Sequence, residues 1–220
     1  PKPAAESKPR VSVVVPVFNQ ADLLRMCLES IRRQTLPDWE AIVVDDCSSQ
    51  GDPAAVVAAL QDPRIRLLRH ERNRGLAAAR NTGFRDARTE WVLPLDADDL
   101  LEPVCLQALI ERSAQEPGAG AVFGRLRYFG GRTGVWRTEA QDVEEFLRRK
   151  RMPGAGVLWR KELWEAAGGY CEDEILRGGQ EDTEFWLAAF EAGGRTACEP
   201  RPVYWYRRHD LSMTGKIPDN

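Results

Sequence analysis

The sequence VLPLDADDLLEP, residues 92–103, is an apolar run that ends in three carboxylates, Asp96, Asp98 and Asp99. A short apolar run that is closed by polar and turn-forming residues is typical of a buried strand. Three carboxylates at the end of such a strand repel one another and lose hydration, so a cation has to compensate them in the folded protein. The stretch therefore predicts a strand whose carboxyl end carries a charged site.

Strand and helix patterns alternate along the chain around this stretch. Short β-branched or apolar runs alternate with segments whose apolar or alanine-rich residues predict helices. In chain order the segments are the strand VSVVVP from Val11, a helix over 21–34, the strand EAIVVDD, a helix after Asp52-Pro53, the strand IRLLR, a helix over 75–87 and the strand WVLPLD. This alternation predicts an α/β fold with a mostly parallel central sheet and helices on both faces.

The second half of the chain is less regular. A helix is predicted from Pro103 to about Gln115, and GAVFGRLRYF alternates like an open strand. A helix over EDTEFWLAAFEAGG and a strand over PVYWYRRH follow. Ligands bind at the carboxyl ends of strands in such sheets, which is where Asp45-Asp46 and the carboxylates of 96–99 lie.

Composition limits the class of protein. The 220 residues suit one large domain, and a net charge of −3 argues against a nucleic-acid binder. No apolar run is long enough to cross a bilayer, and the five scattered cysteines suggest neither disulfides nor zinc, so we expect a cytoplasmic protein. Residues 1–10, PKPAAESKPR, have the composition of a disordered linker, which suggests that residues 11–220 are one domain of a longer chain.

A divalent metal ion is the cation that carboxylates at a strand end favour. Oxygen ligands suit Mg²⁺ or Mn²⁺, and Mg²⁺ is commonly held by one or two carboxylates together with substrate phosphates. Two other interpretations are open at this point. Asp99 could cap the next helix, and a receiver domain of two-component signalling also has carboxylates after its strands, although its acidic pair follows the first strand and its chain is much shorter.

Five motifs in order carry a resemblance to a known family. VSVVVPVFNQADLLRMCLESIRRQT, IVVDDCS, NRGLAAARNTG, VLPLDADDLLEP and GGQEDTEFWLAAFEAG resemble the family 2 glycosyltransferases of the GT-A fold, and the resemblance covers residues 11–213. It implies a Rossmann-like fold and the transfer of a sugar from a nucleotide-diphosphate donor, with UDP-sugar the best candidate. The implied acceptor is a hydroxyl on a glycan, lipid or protein.

The resemblance also implies which residues hold the donor. Pro16, Val17 and Asn19 match residues that lie beside the base and ribose of the nucleotide sugar. Asp46 matches the residue at the uracil N3, and Arg80 matches the residue at the diphosphate. Asp96 matches a residue that contacts the ribose or a metal-bound water. Asp98 matches the direct ligand of Mn²⁺ or Mg²⁺, and His209 matches a residue that completes the metal shell or contacts the diphosphate. The Asp46 carboxylate can only accept hydrogen bonds, which suits the imide N–H of uracil. Asn19 equally suits an ordinary turn between strand and helix.

The acidic pair at residues 181–182 matches the family's catalytic motif. Inverting glycosyl transfer needs a base that removes the proton of the acceptor hydroxyl. Asp182 matches this base, and Glu181 matches a residue that orients it or binds the acceptor. Both also suit the first turn of a helix, where the macrodipole favours negative charge.

Two features of the sequence limit the resemblance. Cys47 stands where the family often has glycine, and the Q-x-x-R-W motif of processive polymerases is absent, which favours a single-addition enzyme. Trp159 and Trp186 suit either sugar stacking or the core. A non-catalytic module that binds nucleotide sugars or glycans is the main alternative in another functional class.

Overall fold

The computed structural model describes residues 8–149, 153, 155–176 and 179–208. The first half of the chain forms four parallel strands in the order β3-β2-β1-β4. The strands are β1 (Val11–Val17), β2 (Trp39–Asp45), β3 (Ile65–Arg69) and β4 (Trp91–Pro94). β1 and β2 are buried along their whole length, because helices cover the sheet on both faces.

Three helices connect these strands. They are α1 (Ala21–Arg32), α2 (Pro53–Leu60) and α3 (Leu76–Asp86). α1 buries an apolar stripe against one face of the sheet, whereas α3 packs Ala79 and Phe84 on the opposite face. Asp52 caps α2 as predicted, since its carboxylate accepts a 3.0 Å hydrogen bond from the Ala55 amide.

The second half of the chain extends the sheet on the far side of β4. Its elements are β5 (Leu100–Leu101), α4 (Cys105–Gln115), β6 (Ala121–Gly130), β7 (Gly134–Trp136), α5 (Val143–Arg149), β8 (Val157–Arg160), α6 (Lys161–Ala166), a 3-10 turn (Glu174–Leu176), α7 (Glu181–Glu191) and β9 (Thr196–Arg208). The sheet continues from β4 as β8-β6-β9-β5. β8 is antiparallel to both β4 and β6, and β9 is parallel to β6. β6 and β9 therefore run in the same direction as β4, so their carboxyl ends lie at the same edge of the sheet.

Two cores lie on the two faces of the sheet. One contains α1 and α4, and the other lies beneath α3 and α7. Trp159 and Trp186 belong to the second core, where they are 2% and 3% exposed with ring centroids 4.4 Å apart. Their burial shows that the sugar-stacking interpretation of these two tryptophans is wrong.

Most predicted elements agree with the structure to within a few residues. The predicted α/β class is confirmed, whereas β7, α5, β8 and α6 fall in the part of the sequence whose pattern was hardest to interpret. Across the described ranges, none of the helices combines the length and the apolarity that crossing a bilayer requires.

Candidate active site

The turn that follows β4 presents the carboxylates of residues 96–99. Asp96 and Asp98 are half-buried, and Asp99 is 1% exposed. The Asp99 carboxylate accepts hydrogen bonds from the Tyr204 hydroxyl and the Arg207 amide, both at 2.7 Å. Asp99 thus ties the turn to β9. The helix-capping interpretation of Asp99 is wrong, because α4 begins only at Cys105.

The negative charges of this turn act on one another. Burial raises the pKa of Asp99 well above its usual value, and the nearby charges of Asp96 and Asp98 raise it further. The Arg207 guanidinium offsets part of the charge, since its Nε donates a 2.7 Å hydrogen bond to the Asp98 carbonyl. A hard cation bound at this turn would relieve the repulsion among its carboxylates.

A single buried arginine joins this turn to the acidic pair at the start of α7. Arg80 projects from α3 and is 1% exposed. Its Nη2 donates to Asp96 at 3.0 Å, and its Nη1 donates to Glu181 at 3.1 Å and to Asp182 at 2.7 Å. Two motifs that lie far apart in sequence therefore meet at one guanidinium group.

Asp182 lies in an environment that raises its pKa. Its pKa is raised to about 7, chiefly by burial and in part by the charges of Glu181 and Asp96, while Arg80 opposes the rise. The side chain is 34% exposed, so the carboxyl group is open to a ligand on one side. Gln180, immediately before α7, has φ 100°, a strained conformation for a residue with a side chain. Asp182 thus follows a backbone turn that the surrounding structure holds in place.

The acidic pair that follows β2 orders the neighbouring turns. Asp45 accepts a 2.8 Å hydrogen bond from the Ser48 amide. The Asp46 carboxylate accepts hydrogen bonds from the amides of Arg74 and Gly75, both at 2.8 Å, and pairs with His70 Nδ1 at 2.7 Å. A carboxylate has about four lone-pair sites. One acceptor position on Asp46 is thus left for the predicted contact with a base.

The loop after β1 is held against the same region. The Asn19 side chain accepts hydrogen bonds from the amides of Ser49 and Gln50, at 2.8 and 3.0 Å. Asn19 therefore has the turn-forming role that the sequence allowed. Pro16 and Val17 are buried at the end of β1, and the Val17 carbonyl accepts a 2.9 Å hydrogen bond from the Asp46 amide. Main-chain contacts of these residues with a base stay a prediction.

Cys47 adopts a left-handed backbone with φ 63° in the turn after Asp46. This conformation favours glycine, because a Cβ atom there crowds the neighbouring carbonyl. The geometry gives a physical reason for the glycine that the family often has at this position.

A pocket opens beside the carboxylate cluster, between the start of α3 and the segment that precedes α7. Its lining residues are Arg74, Gly75, Leu76, Ala77, Cys171, Glu172, Asp173, Leu176 and Glu181. The structure brings together Arg80, Asp96, Glu181 and Asp182. Asp46 and Asn19 stand at the neighbouring strand ends. His209 lies outside the described residues.

Sequence reasoning missed the side chains that hold this site together. Tyr204 anchors Asp99, and Asn81 donates a hydrogen bond to the Tyr170 carbonyl at 2.8 Å while its side-chain oxygen accepts one from the Tyr170 amide at 2.9 Å. The tyrosine in the apolar run of β9 and the asparagine inside α3 were the available signals. A polar residue in such a place needs a buried partner, but the sequence does not show which partner.

The sequence of this chain is similar to those of known proteins. The model of glycosyl transferase family 2 matches residues 12–169. The succinoglycan biosynthesis protein ExoO of Rhizobium meliloti is 35% identical over 96% of this chain, and the uncharacterized glycosyltransferase EpsJ of Bacillus subtilis is 31% identical over 96%. The chain spans 64% of the length of each of these relatives.

Solved structures with the same fold include complexes with nucleotide sugars. S. aureus TarS in complex with UDP-GlcNAc has a TM-score of 0.78 at 19% identity over 96% of this chain and 62% of its own. The mannosyltransferase PcManGT from Pyrobaculum calidifontis, in complex with GDP-Man and Mn²⁺, has a TM-score of 0.71 at 26% identity over 95% of this chain and 60% of its own. The receiver-domain alternative is thereby excluded, and the fold is GT-A. The chain belongs to glycosyl transferase family 2.

Proposed function

We propose that this chain is the catalytic domain of an inverting, metal-dependent glycosyltransferase that uses a nucleotide-diphosphate sugar, most simply a UDP-sugar. The observation that carries the proposal is the convergence of Asp96 and Asp182 on Arg80. A donor-side carboxylate and a base of suitable pKa thereby stand beside one another. Inverting transfer requires this arrangement, because the acceptor oxygen and the leaving diphosphate lie on opposite sides of one carbon atom.

The turn Asp96-Ala97-Asp98-Asp99, called the DADD turn, supplies carboxylates that suit half of the ligand set of a divalent metal ion. Asp98 would hold Mn²⁺ or Mg²⁺, and Asp96 would contact the ribose or a metal-bound water. No group of three or more His, Cys, Asp or Glu side chains placed to hold a metal occurs within the described ranges. Phosphate oxygens of the donor would complete the shell, as is common for Mg²⁺. When bound, the metal supplies positive charge that stabilises the leaving diphosphate.

The nucleotide would lie over the carboxyl ends of β1 and β2. Asp46 is placed at that edge with one acceptor position left, which suits the N3 donor of uracil. The UDP-GlcNAc complex of TarS supports a UDP-sugar, whereas the GDP-Man complex of PcManGT shows that a protein of this fold also accommodates a guanine nucleotide. Direct measurement of nucleotide-sugar binding therefore decides which nucleotide the donor carries.

Asp182 would act as the general base. Its carboxylate takes the proton of the acceptor hydroxyl while the acceptor oxygen forms a bond to the anomeric carbon. The bond from that carbon to the diphosphate breaks on the opposite side, and the nucleoside diphosphate departs with the electron pair. Arg80 keeps Asp182 in place and opposes the rise of its pKa. Glu181 would orient the base or contact the acceptor from the neighbouring pocket.

We further propose a hydroxyl of a glycan, lipid or protein as the acceptor, and a site of action in the cytoplasm or at the inner face of the membrane. All five cysteines are free, which suits a reducing compartment. A non-catalytic binding module would not need a base with a pKa near 7 beside the donor site.

A panel of UDP-, GDP- and dTDP-sugars with Mn²⁺ tests this proposal. Phosphorus NMR would follow release of the nucleoside diphosphate, with water as the default acceptor. Release should fall at least about 100-fold in Asp182→Asn. Glu111→Gln, a change of an exposed acidic residue on α4 away from the site, should leave release unchanged. Equal release by Asp182→Asn and the unmodified protein would show that Asp182 is not the base.

A further inference from the structure

A half-buried ladder of arginine and aromatic side chains lies next to the DADD turn. Arg127 and Phe129 of β6 pair in register with Trp205 and Arg207 of β9. The Arg127 guanidinium lies over the Trp205 ring at 5.0 Å, and that of Arg207 lies over the Phe129 ring at 4.4 Å. The two rings meet edge to face at 5.9 Å. We call these four side chains the Arg-aromatic ladder.

The ladder lies on the face of the sheet that carries the proposed base. Successive side chains of a strand point to opposite faces, so Arg127 and Phe129 share a face with Ala121 and Phe123. Ala121 and Phe123 belong to the core beneath α7, the helix that begins at the proposed base. The carboxyl ends of β6 and β4 lie at the same edge of the sheet, and Arg207 donates a hydrogen bond to the Asp98 carbonyl. The ladder therefore borders the reaction site.

The sheet order separates the ladder from the proposed nucleotide site. In the order β3-β2-β1-β4-β8-β6-β9, the strand ends that carry Asp46 and Asn19 lie on one side of β4, and the ladder lies on the other side. A donor that extends from Asp46 to Asp98 places its sugar above β4. The molecule that reacts with this sugar then approaches from the side of β6 and β9.

The ladder and the adjacent Arg125 have hydrogen-bonding capacity and charge that the described residues do not use. The Nε atoms of Arg125 and Arg127 and the Nη2 atom of Arg207 are buried without a hydrogen-bond partner in the described part of the chain. Buried donors without partners are costly, so a ligand that accepts from them gains affinity. Arg125 shares the face of Arg127, and the Arg127 Nε forms only a long ion pair, at 4.0 Å, with the Glu102 carboxylate. Arg125 and Arg127 against Glu102 leave one positive charge in excess, and Arg207 adds an unused donor at the edge of the carboxylate turn.

We propose that the Arg-aromatic ladder is an acceptor subsite for a sugar that is joined to a diphosphate. Three guanidinium groups with unused donors suit the several oxygens of a diphosphate diester better than the two oxygens of a single carboxylate, and the guanidinium fork suits phosphate oxygens. The half-buried Trp205 and Phe129 rings offer an apolar surface for the sugar. This inference rests on the proposed function, because it assigns the second substrate of the same site.

The test measures the binding of matched synthetic acceptors. Undecyl diphosphate esters of glucose, galactose and N-acetylglucosamine are compared with the neutral undecyl glycosides of the same sugars, by calorimetry with and without UDP and Mn²⁺. At least one diphosphate should bind about tenfold or more tightly than its neutral counterpart. Arg127→Gln should remove most of this preference, and adding Arg125→Gln should abolish it. Neither residue contacts the DADD turn in the structure, so UDP affinity should not change.

Arg64→Gln is the matched control. Arg64 also lies over a tryptophan ring, at 3.7 Å from the centroid of Trp39, at the amino end of the sheet. This change should leave the binding of every probe unaltered. Equal binding of charged and neutral probes, or an unchanged preference in the Arg125 and Arg127 variants, would overturn the inference. Failure of the unmodified protein to bind UDP would instead count against the proposed function. The titrations with the synthetic acceptors in the absence of UDP would still test the ladder.

Discussion

Arg80 holds both halves of the proposed site, so its removal should affect stability and activity together. Arg80→Met keeps most of the side-chain volume but leaves Asp96, Glu181 and Asp182 without the cation that they share. Removal of one partner from a buried ion pair costs about 3–5 kcal/mol. Since about 1 kcal/mol shifts the Tm of a domain of this size by about 2–4 °C, the Tm should fall by about 6–20 °C.

The same change should shift the pH dependence of catalysis. Arg80 opposes the rise in the pKa of Asp182, which stands at about 7 with the arginine present. Without Arg80 the base takes up its proton at higher pH, so the acidic limb of the pH profile of kcat/KM should move upward. The assays are thermal unfolding by calorimetry and donor turnover measured across a pH series.

Arg66 provides a matched control for this prediction. It too bridges two carboxylates, those of Glu40 and Asp86, but at the amino end of the sheet and away from the site. Arg66→Met should lower the Tm while leaving the pH profile unchanged. The reasoning about Arg80 would be refuted if Arg80→Met melted within about 2 °C of the unmodified protein and its acidic limb did not move.

Three further predictions follow from single side chains. The kcat/KM for transfer should fall as the pH drops below about 7, because Asp182 must be ionised to accept a proton; a profile that stays flat down to pH of about 5 would contradict this. Cys47→Gly should relieve the left-handed backbone and raise the free energy of unfolding, measured by chemical denaturation, by about 0.5–1 kcal/mol. A loss of stability would show that the thiol matters more than the backbone. Gly83→Ala should cost about 1–3 kcal/mol, because the new Cβ would lie 2.2 Å from a methyl group of Val14, and an unchanged urea midpoint would disprove that close packing.

The parallel half of the fold could be predicted from sequence because its signals are local. VSVVVP and EAIVVDD are short β-branched runs, and the helix between them has a clear apolar stripe. β8 and α6 have only four and six residues, which is too short for a period to show. The pairing of β6 with β9 joins segments far apart in sequence, so no local pattern could reveal it.

The site was predicted in outline, and its internal contacts were not. The acidic pairs after β2 and β4 could be placed at one edge because parallel strands share their carboxyl ends. Arg80 was matched to the diphosphate by resemblance, whereas the structure shows it bound to three carboxylates. That network depends on how α3 and α7 pack on the sheet, which spacing along the chain does not encode. The contact of Arg80 with a diphosphate stays a prediction.

The measurement that tests the central claim most directly is a calorimetric titration with UDP and GDP, each with and without Mn²⁺. It would be repeated on Asp98→Asn and Asp182→Asn. We expect tight binding of one nucleotide, UDP in the first instance, that requires Mn²⁺, is lost in Asp98→Asn and persists in Asp182→Asn. Nucleotide binding that is independent of both Mn²⁺ and Asp98, or no binding under any condition, would contradict a metal-dependent donor site at the DADD turn.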